Sequence, residues 1–329
     1  MRVVITGAFG FIGATLTREL LSRGCLGRRT IHELVLADRF VPDGDHLVAD
    51  ERVRIVRGDL TDSLDELFSA PVDAVFHLAS AVSGECEADF GLGLSANLDT
   101  TRALLDRCRA QRKAGGPAAL LVFSSSVAVY GSDPSLPLPE VVSEATLATP
   151  QSSYGIHKLV CEQLIADYTR KGFIDGRAVR LMTVSVRPGR PNAAASGFLS
   201  GIIREPLAAL AVVCPVPPST EVALSSPDRT IEGLLTVATA PRGGNRGFPG
   251  RIALNLPALT VTVDEMLQTL RAVAGDAAAD LVTVSPDPEV EAIVGQWPSR
   301  FDNTRARALG LEPDPDFESV VRQYLRNHT

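Results

Sequence analysis

The chain of 329 residues has room for about two core-sized units at roughly 150 residues each, and its 45% hydrophobic and 22% charged residues describe a globular protein rather than a disordered one. A formal net charge of -7 without any run of like charges argues against a nucleic-acid backbone as partner. Five cysteines, Cys25, Cys86, Cys108, Cys161 and Cys214, odd in number and free of CxxC pairs, suggest neither a disulfide framework nor a metal site and fit a reducing cytoplasm.

From Met1 the chain enters a strand-like run, Val3-Val4-Ile5, without a signal-like leader or an apolar stretch of about 18 residues, so neither export nor a membrane span is expected. Short apolar runs then alternate with longer helical patterns: RVVITG, FIGATLTRELLSRG, HELVLAD, RVRIVRGD and DAVFHLAS. That alternation predicts βαβ units and a parallel sheet. Gly24 sits where the first helix needs a left-handed C-terminal cap. A long helix is expected from about Glu87 to Arg112, then a buried strand ALLVFSSS, a helix over Tyr154 to Lys171, and a strand RAVRLMTVSV.

Residues 1–187 therefore read as one doubly wound α/β domain. Beyond Arg187 the prolines Pro188, Pro191, Pro206, Pro215, Pro217 and Pro218 break the rhythm, and 188–329 reads as a smaller C-terminal substrate-binding lobe. Segments near 223–240 and 251–262 are candidates to return to the main sheet.

Gly7-Ala8-Phe9-Gly10-Phe11-Ile12-Gly13 follows the first strand and opens a helix. Glycines let the backbone turn tightly and approach a pyrophosphate, whose charge the free amides of a helix start attract. Asp38 ends the second strand, where a carboxylate accepts from a ribose diol and repels a 2′-phosphate; this favours NAD over NADP, although Arg39 beside it points the other way. Asp59, before Leu60 at the end of the third strand, is placed either to meet an adenine amino group or to cap a helix.

Ser126 closes the strand LLVFSSS, and Tyr154-Gly155-Ile156-His157-Lys158 sets a tyrosine and a lysine four apart. On a helix that spacing stacks both on one face, where an ammonium favours the phenolate and so makes the phenol a usable base near neutral pH. Such a pair recurs by chance in many chains; its weight here comes from the glycine loop and the serine that accompany it. His77, within the apolar run AVFHLA, reads as a core histidine rather than a base, and His157 falls off the Tyr-Lys face.

GAFGFIG, GDL, HLAS, FSSSVAVYG and YGIHK stand in the order and spacing of the extended short-chain dehydrogenases, which the whole chain resembles. The resemblance implies a Rossmann-type fold, bound NAD, a catalytic Ser126, Tyr154 and Lys158, and a homodimer built through two long helices of each subunit. It implies cofactor contacts at Gly7, Gly10, Phe11, Ile12 and Gly13, at Asp38, Arg39, Asp59 and Leu60, at Leu78, Ala79 and Ser80, and at Asn97, Tyr154, Lys158 and Pro188.

Within the family, Val127-Ala128 replaces the acidic pair of the sugar 4,6-dehydratases, and Leu224-Ser225-Ser226-Pro227-Asp228-Arg229 lacks the diphosphate clamp of the epimerases unless Arg229 replaces it. Ser80-Ala81-Val82-Ser83-Gly84-Glu85 and the stretch Arg187-Pro188-Gly189-Arg190-Pro191-Asn192 through Gly197 instead resemble a narrower group, the D-erythronate dehydrogenases. That likeness implies oxidation of the C2 hydroxyl of a small sugar acid, with Ser126 and Tyr154 at the reacting oxygen and Ser83, Arg190, Asn192 and Ser196 as candidate substrate contacts. Glu221-Val222-Ala223-Leu224 departs from that group. Arg187 reads as a domain anchor. Two other functions stay open: a nucleotide-sugar 4-epimerase with tightly held NAD, and a non-catalytic NAD-responsive binding protein.

Overall fold

A computed structural model describes residues 1–42, 46–189, 194–244, 247–248 and 250–328. Seven strands form the central sheet: β1 (Arg2–Thr6), β2 (Glu33–Asp38), β3 (Val53–Arg57), β4 (Ala74–His77), β5 (Ala119–Ser126), β6 (Ile174–Leu181) and β7 (Leu254–Asn255). They are all parallel and lie in the spatial order β7-β6-β5-β4-β1-β2-β3. The direction of winding reverses between β1 and β4, which opens a crevice at their carboxyl ends, the place where such sheets receive ligands.

The helices that matter to the site are α1 (Phe11–Arg23), α2 (Leu60–Leu67), α3 (Ser83–Ala88), α4 (Thr100–Lys113), α5 (Ser153–Arg170), α6 (Phe198–Leu207), α7 (Pro227–Thr239), α8 (Val263–Ala274) and α9 (Phe317–His328). α1 stops at Gly24, whose φ of 66° lets its amide reach back to Leu20 O. Side chains alternate across the sheet. Val3 and Ile5 of β1 pack on Leu16 and Leu20 of α1 and on Ile231 and Leu234 of α7, while Val4 and Val35 share the opposite core with Leu104 and Leu105 of α4 and Cys161 and Ile165 of α5. Burying one such side chain contributes about 1.5–3 kcal/mol, so both faces bind the crossover helices firmly to the sheet.

The helix expected from Glu87 to Arg112 is broken. α3 ends at Ala88, Asp89 is extended, and its carboxylate caps the restart by accepting from Leu92 N at 2.9 Å. Leu94–Asp99 then winds as a π-helix before α4 begins. The widened turn carries the buried Asn97, whose side chain is spent on the loop after β4. Such turns are frequent at functional sites.

The expected strand RAVRLMTVSV is also divided. β6 ends at Leu181, and Thr183–Val184 leaves it to pair with Glu221–Ser225, which in turn pairs antiparallel with Leu259–Thr262. This three-stranded sheet covers a second core in which Leu199, Ile202 and Ile203 of α6 meet Met266 and Leu270 of α8 and Val320 and Val321 of α9. The later chain does not remain in this lobe: α7 packs on the main sheet and β7 extends it beside β6. Among the described residues no helix is long and apolar enough to cross a membrane.

Candidate active site

The crevice between β1 and β4 opens into a cavity of about 850 Å³ whose walls come from the glycine loop, the loop after β4, the end of β5, the start of α5 and the lobe. Gly7 has a φ of +68°, and a Cβ on it would stand 2.7 Å from Ala79 N. A Cβ at Gly13 would stand 2.1 Å from Gly7 O, so Gly7 lets the loop close on the chain after β4 and Gly13 lets α1 close on the loop. Gly10 is the N-cap of α1 and supplies no side-chain cap, so the amides around Phe11 and Ile12 remain for an anion. With no side chain filling this cradle and Leu78 and Ser80 on its opposite wall, the residues fit the pyrophosphate and nicotinamide half of NAD.

Asp38 accepts from Phe9 N at 2.9 Å with one oxygen and from Phe40 N at 3.1 Å with the other, so it fixes the glycine loop to the end of β2. Arg39 beside it is exposed. Asp59 caps α2 by accepting from Thr61 N at 2.9 Å, and Leu60 is buried in the core under α2. Asn97 lies behind the cavity wall: its Oδ1 accepts from Ser80 Oγ at 2.9 Å and from Ala81 N at 2.7 Å, and its Nδ2 donates to Ala81 O at 3.2 Å. It thereby sets the shape of the loop after β4.

Ser126, Tyr154 and Lys158 meet at one wall of the cavity. Ser152 caps α5 by accepting from Gly155 N at 3.1 Å, which places Tyr154 in the first turn and Lys158 one turn further on the same face. The Lys158 ammonium lies 5.4 Å from the centre of the Tyr154 ring and donates to Ser124 O at 2.8 Å. It is 3% exposed and has no carboxylate partner among the described residues. Ser126 Oγ accepts from Ala128 N at 3.1 Å, an arrangement that leaves its own hydrogen free to point into the cavity. A Cβ at Gly155 would stand 2.1 Å from Ala128 O, so this glycine lets α5 close onto the turn after Ser126.

The lobe supplies the remaining wall. Ser83 Oγ accepts from Ala195 N at 3.3 Å and so joins the start of α3 to the lobe, while Ser196 Oγ accepts from Arg187 Nη2 at 2.9 Å; both serines border the cavity. Arg187 donates from Nε to Val184 O at 2.9 Å and faces the cavity beside Pro188, with no carboxylate partner among the described residues. Burial pushes its guanidinium down and nearby Arg204 acts in the same direction, while Tyr154 opposes them. Arg204 is neutralised by Glu205 at 2.5 Å. Arg190 and Asn192 lie outside the described residues. The domain anchor read from the sequence is thus also a charged group directed at the site, a role that depends on which carboxylates the fold keeps away from it.

His77 is fully buried between Thr6 Oγ1 at 2.7 Å and Thr101 Oγ1 at 2.9 Å, and burial lowers its pKa to about 3. It is a core residue. His157 packs against Phe90, outside the cavity wall. Arg229, the possible substitute for a diphosphate clamp, is paired with Glu232 at 2.7 Å and does not line the cavity. Glu87 accepts from Ser153 N at 2.8 Å and so ties α3 to the start of α5; the linear sequence gave no sign of that contact.

Residues 3–217 match the NAD dependent epimerase/dehydratase family. The chain is 47% identical over 335 residues to the D-erythronate dehydrogenase of Cupriavidus necator, covering 99% of this chain and 98% of that one. It is 41% identical over 327 residues to the D-erythronate dehydrogenase of Haemophilus influenzae, covering 99% of each. Among solved structures, the nucleoside-diphosphate-sugar epimerase from Agrobacterium tumefaciens superposes with a TM-score of 0.90 at 37% identity, over 100% of this chain and 94% of that chain.

Proposed function

As a member of the NAD dependent epimerase/dehydratase family the chain is an NAD-dependent dehydrogenase, and we propose that it oxidises the C2 hydroxyl of a small, D-erythronate-like sugar acid to the 2-oxo acid. The observation that carries the substrate class is Arg187. Its half-buried guanidinium has no carboxylate partner among the described residues, and a substrate carboxylate would supply that charge next to Tyr154. Ser196, which already accepts from Arg187, and Ser83 stand near enough to the same wall to meet the remaining oxygens of the acid.

The proposed chemistry is a proton transfer coupled to oxidation. Bound NAD supplies the hydride acceptor. Tyr154, as phenolate, takes the proton of the C2 hydroxyl, and the Lys158 ammonium held on Ser124 O stabilises the phenolate charge. Ser126 donates its free hydrogen to the same substrate oxygen, which keeps that oxygen oriented as it becomes a carbonyl. The glycine cradle, with Asp38 holding its shape, would seat the cofactor; Arg187 would fix the carboxylate one carbon from the reacting centre.

Arg229, engaged by Glu232 and away from the cavity, is not placed to clamp a nucleotide diphosphate, which weighs against the epimerase alternative. The presence of Ser126, Tyr154 and Lys158 on one wall weighs against a non-catalytic binding protein. Five unpaired cysteines fit a cytoplasmic location. A homodimer is also proposed, with Phe90 and Leu92 of the short helix Phe90–Gly93 and Ile156 and Val160 of α5 as its apolar contact, since all four are exposed. Erythronate deuterated at C2 tests the oxidised position: the label is expected in the reduced cofactor, and its retention in the acid would refute oxidation at C2.

A further inference from the structure

A buried polar chain that the proposed reaction leaves unused runs beside the catalytic wall and reaches the cavity at Ser125 and Tyr130. Ser125 faces α5, opposite in direction to Ser126, and donates to Glu162 Oε1 at 2.5 Å. Glu162 stands one helical turn beyond Lys158 on the buried face of α5. Its carboxylate is held in two-pronged fashion by Arg180 of β6, from Nε at 2.9 Å and from Nη2 at 2.7 Å, with both residues no more than 5% exposed. Arg180 Nη1 donates in turn to the Tyr130 hydroxyl at 2.5 Å, and that hydroxyl lies 3.1 Å from Asn255 Oδ1 of β7.

The strand that carries Ser126 is therefore fastened to the helix that carries Tyr154 and Lys158 at two successive residues: Ser124 O by Lys158 and Ser125 Oγ by Glu162. We propose that Glu162, locked by Arg180, is a positioning residue that sets the register of Ser126 against Tyr154 and Lys158. An ion pair this deeply buried contributes little net stability, because desolvation offsets most of its attraction, but its geometry is narrow. A carboxylate fixed by two guanidinium nitrogens presents its oxygen to Ser125 in one place. This contact adds a side-chain constraint to the ladder with β6 and to the hold of Lys158 on Ser124 O, at the scale of the few tenths of an ångström that matter to a proton transfer. The inference rests on the Ser126, Tyr154 and Lys158 reading above.

Steady-state kinetics on the full-length enzyme, run well below each variant's melting temperature, test it. Ser125→Ala leaves the ion pair intact and removes one hydrogen bond; kcat is expected to fall about five- to tenfold, with KM for NAD and for the acid unchanged within about twofold. Ser125→Thr, which keeps a hydroxyl, is expected to recover most of that loss. Glu162→Gln is expected to lower kcat further, and Ser125→Ala added to it should cost nothing more, because both act through one contact. Wild-type kcat in Ser125→Ala, equal kcat in the Ala and Thr variants, or multiplying effects in the double variant would overturn the proposal. If Glu162→Gln fails to fold, the Ala and Thr pair decides alone. Tyr154→Phe serves as the separating control. Its activity should drop by about 10²- to 10⁴-fold; an active Phe variant refutes the triad itself, whereas an inactive one beside a fully active Ser125→Ala refutes only the positioning role.

Discussion

Arg187 donates to Ser196 Oγ at 2.9 Å and faces the cavity with no carboxylate among the described residues to neutralise it. If that charge awaits the acid, Arg187→Met should raise KM for the substrate by about 10²-fold or more while the dissociation constant of NAD stays within about twofold. Arg187→Lys should recover part of the loss, since it restores the charge and not the planar fork. Equal weakening of acid and cofactor binding would assign Arg187 to the scaffold.

Gly155 offers a contest between two effects of opposite sign. Alanine is the better helix former by about 1 kcal/mol, yet its Cβ would meet the Ala128 carbonyl at 2.1 Å, and overpacking of that kind costs about 1–3 kcal/mol. The clash is with backbone and cannot be relieved by a rotamer change. Gly155→Ala is thus expected to lower the melting temperature and to reduce kcat at least about tenfold by separating α5 from the turn after Ser126. Measured stability at or above wild type would show that the helix gain wins.

His77 makes stability depend on acidity. Its folded pKa of about 3 lies below the ordinary histidine value of 6.5, so the unfolded chain binds a proton that the folded chain refuses. Its contribution is therefore complete above about pH 6.5 and is lost progressively as pH falls toward 3, amounting to about 2 kcal/mol by pH 5. Urea unfolding at pH 7 and pH 5 should show this loss, and His77→Gln should flatten it even though the variant is less stable overall. An unchanged pH dependence would remove His77 as its source.

The exposed Phe90 and Ile156 make the association state testable. Sedimentation of the wild type should report a dimer, and Phe90→Asp combined with Ile156→Asp should yield a monomer by burying no charge in the folded subunit and one or more at the interface. A wild-type monomer would contradict the assignment of this face.

The parts of the site that could be read from the sequence are local in the chain. The glycine loop between a strand and a helix, and the four-residue step from Tyr154 to Lys158, depend on turn chemistry and helical spacing alone, and the fold places both at one cavity. What escaped the sequence depends on distant partners. Arg187 differs from an ordinary anchor because the fold turns it toward the cavity and places no carboxylate of the described residues beside it. The π-helix at Leu94–Asp99 carries Asn97 to the loop after β4, a tertiary contact that helical periodicity does not reveal, and the break at Asp89 is capped by that residue's own carboxylate on Leu92 N. The pairing of Leu259–Thr262 with Glu221–Ser225 in the lobe, when one of the two directions open to it was the main sheet, reflects the same limit. The two-residue strands Cys25–Leu26 and Arg29–Thr30 are too short to leave a pattern.

The most direct test supplies the purified protein with NAD and, separately, with four- to six-carbon aldonates and a UDP-sugar, and follows the absorbance of the reduced cofactor. Net reduction with a four-carbon acid such as D-erythronate, lowered about 10²- to 10⁴-fold in Tyr154→Phe, is the predicted result. Epimerisation of the UDP-sugar without net cofactor turnover, and no reduction with any aldonate, would contradict the account.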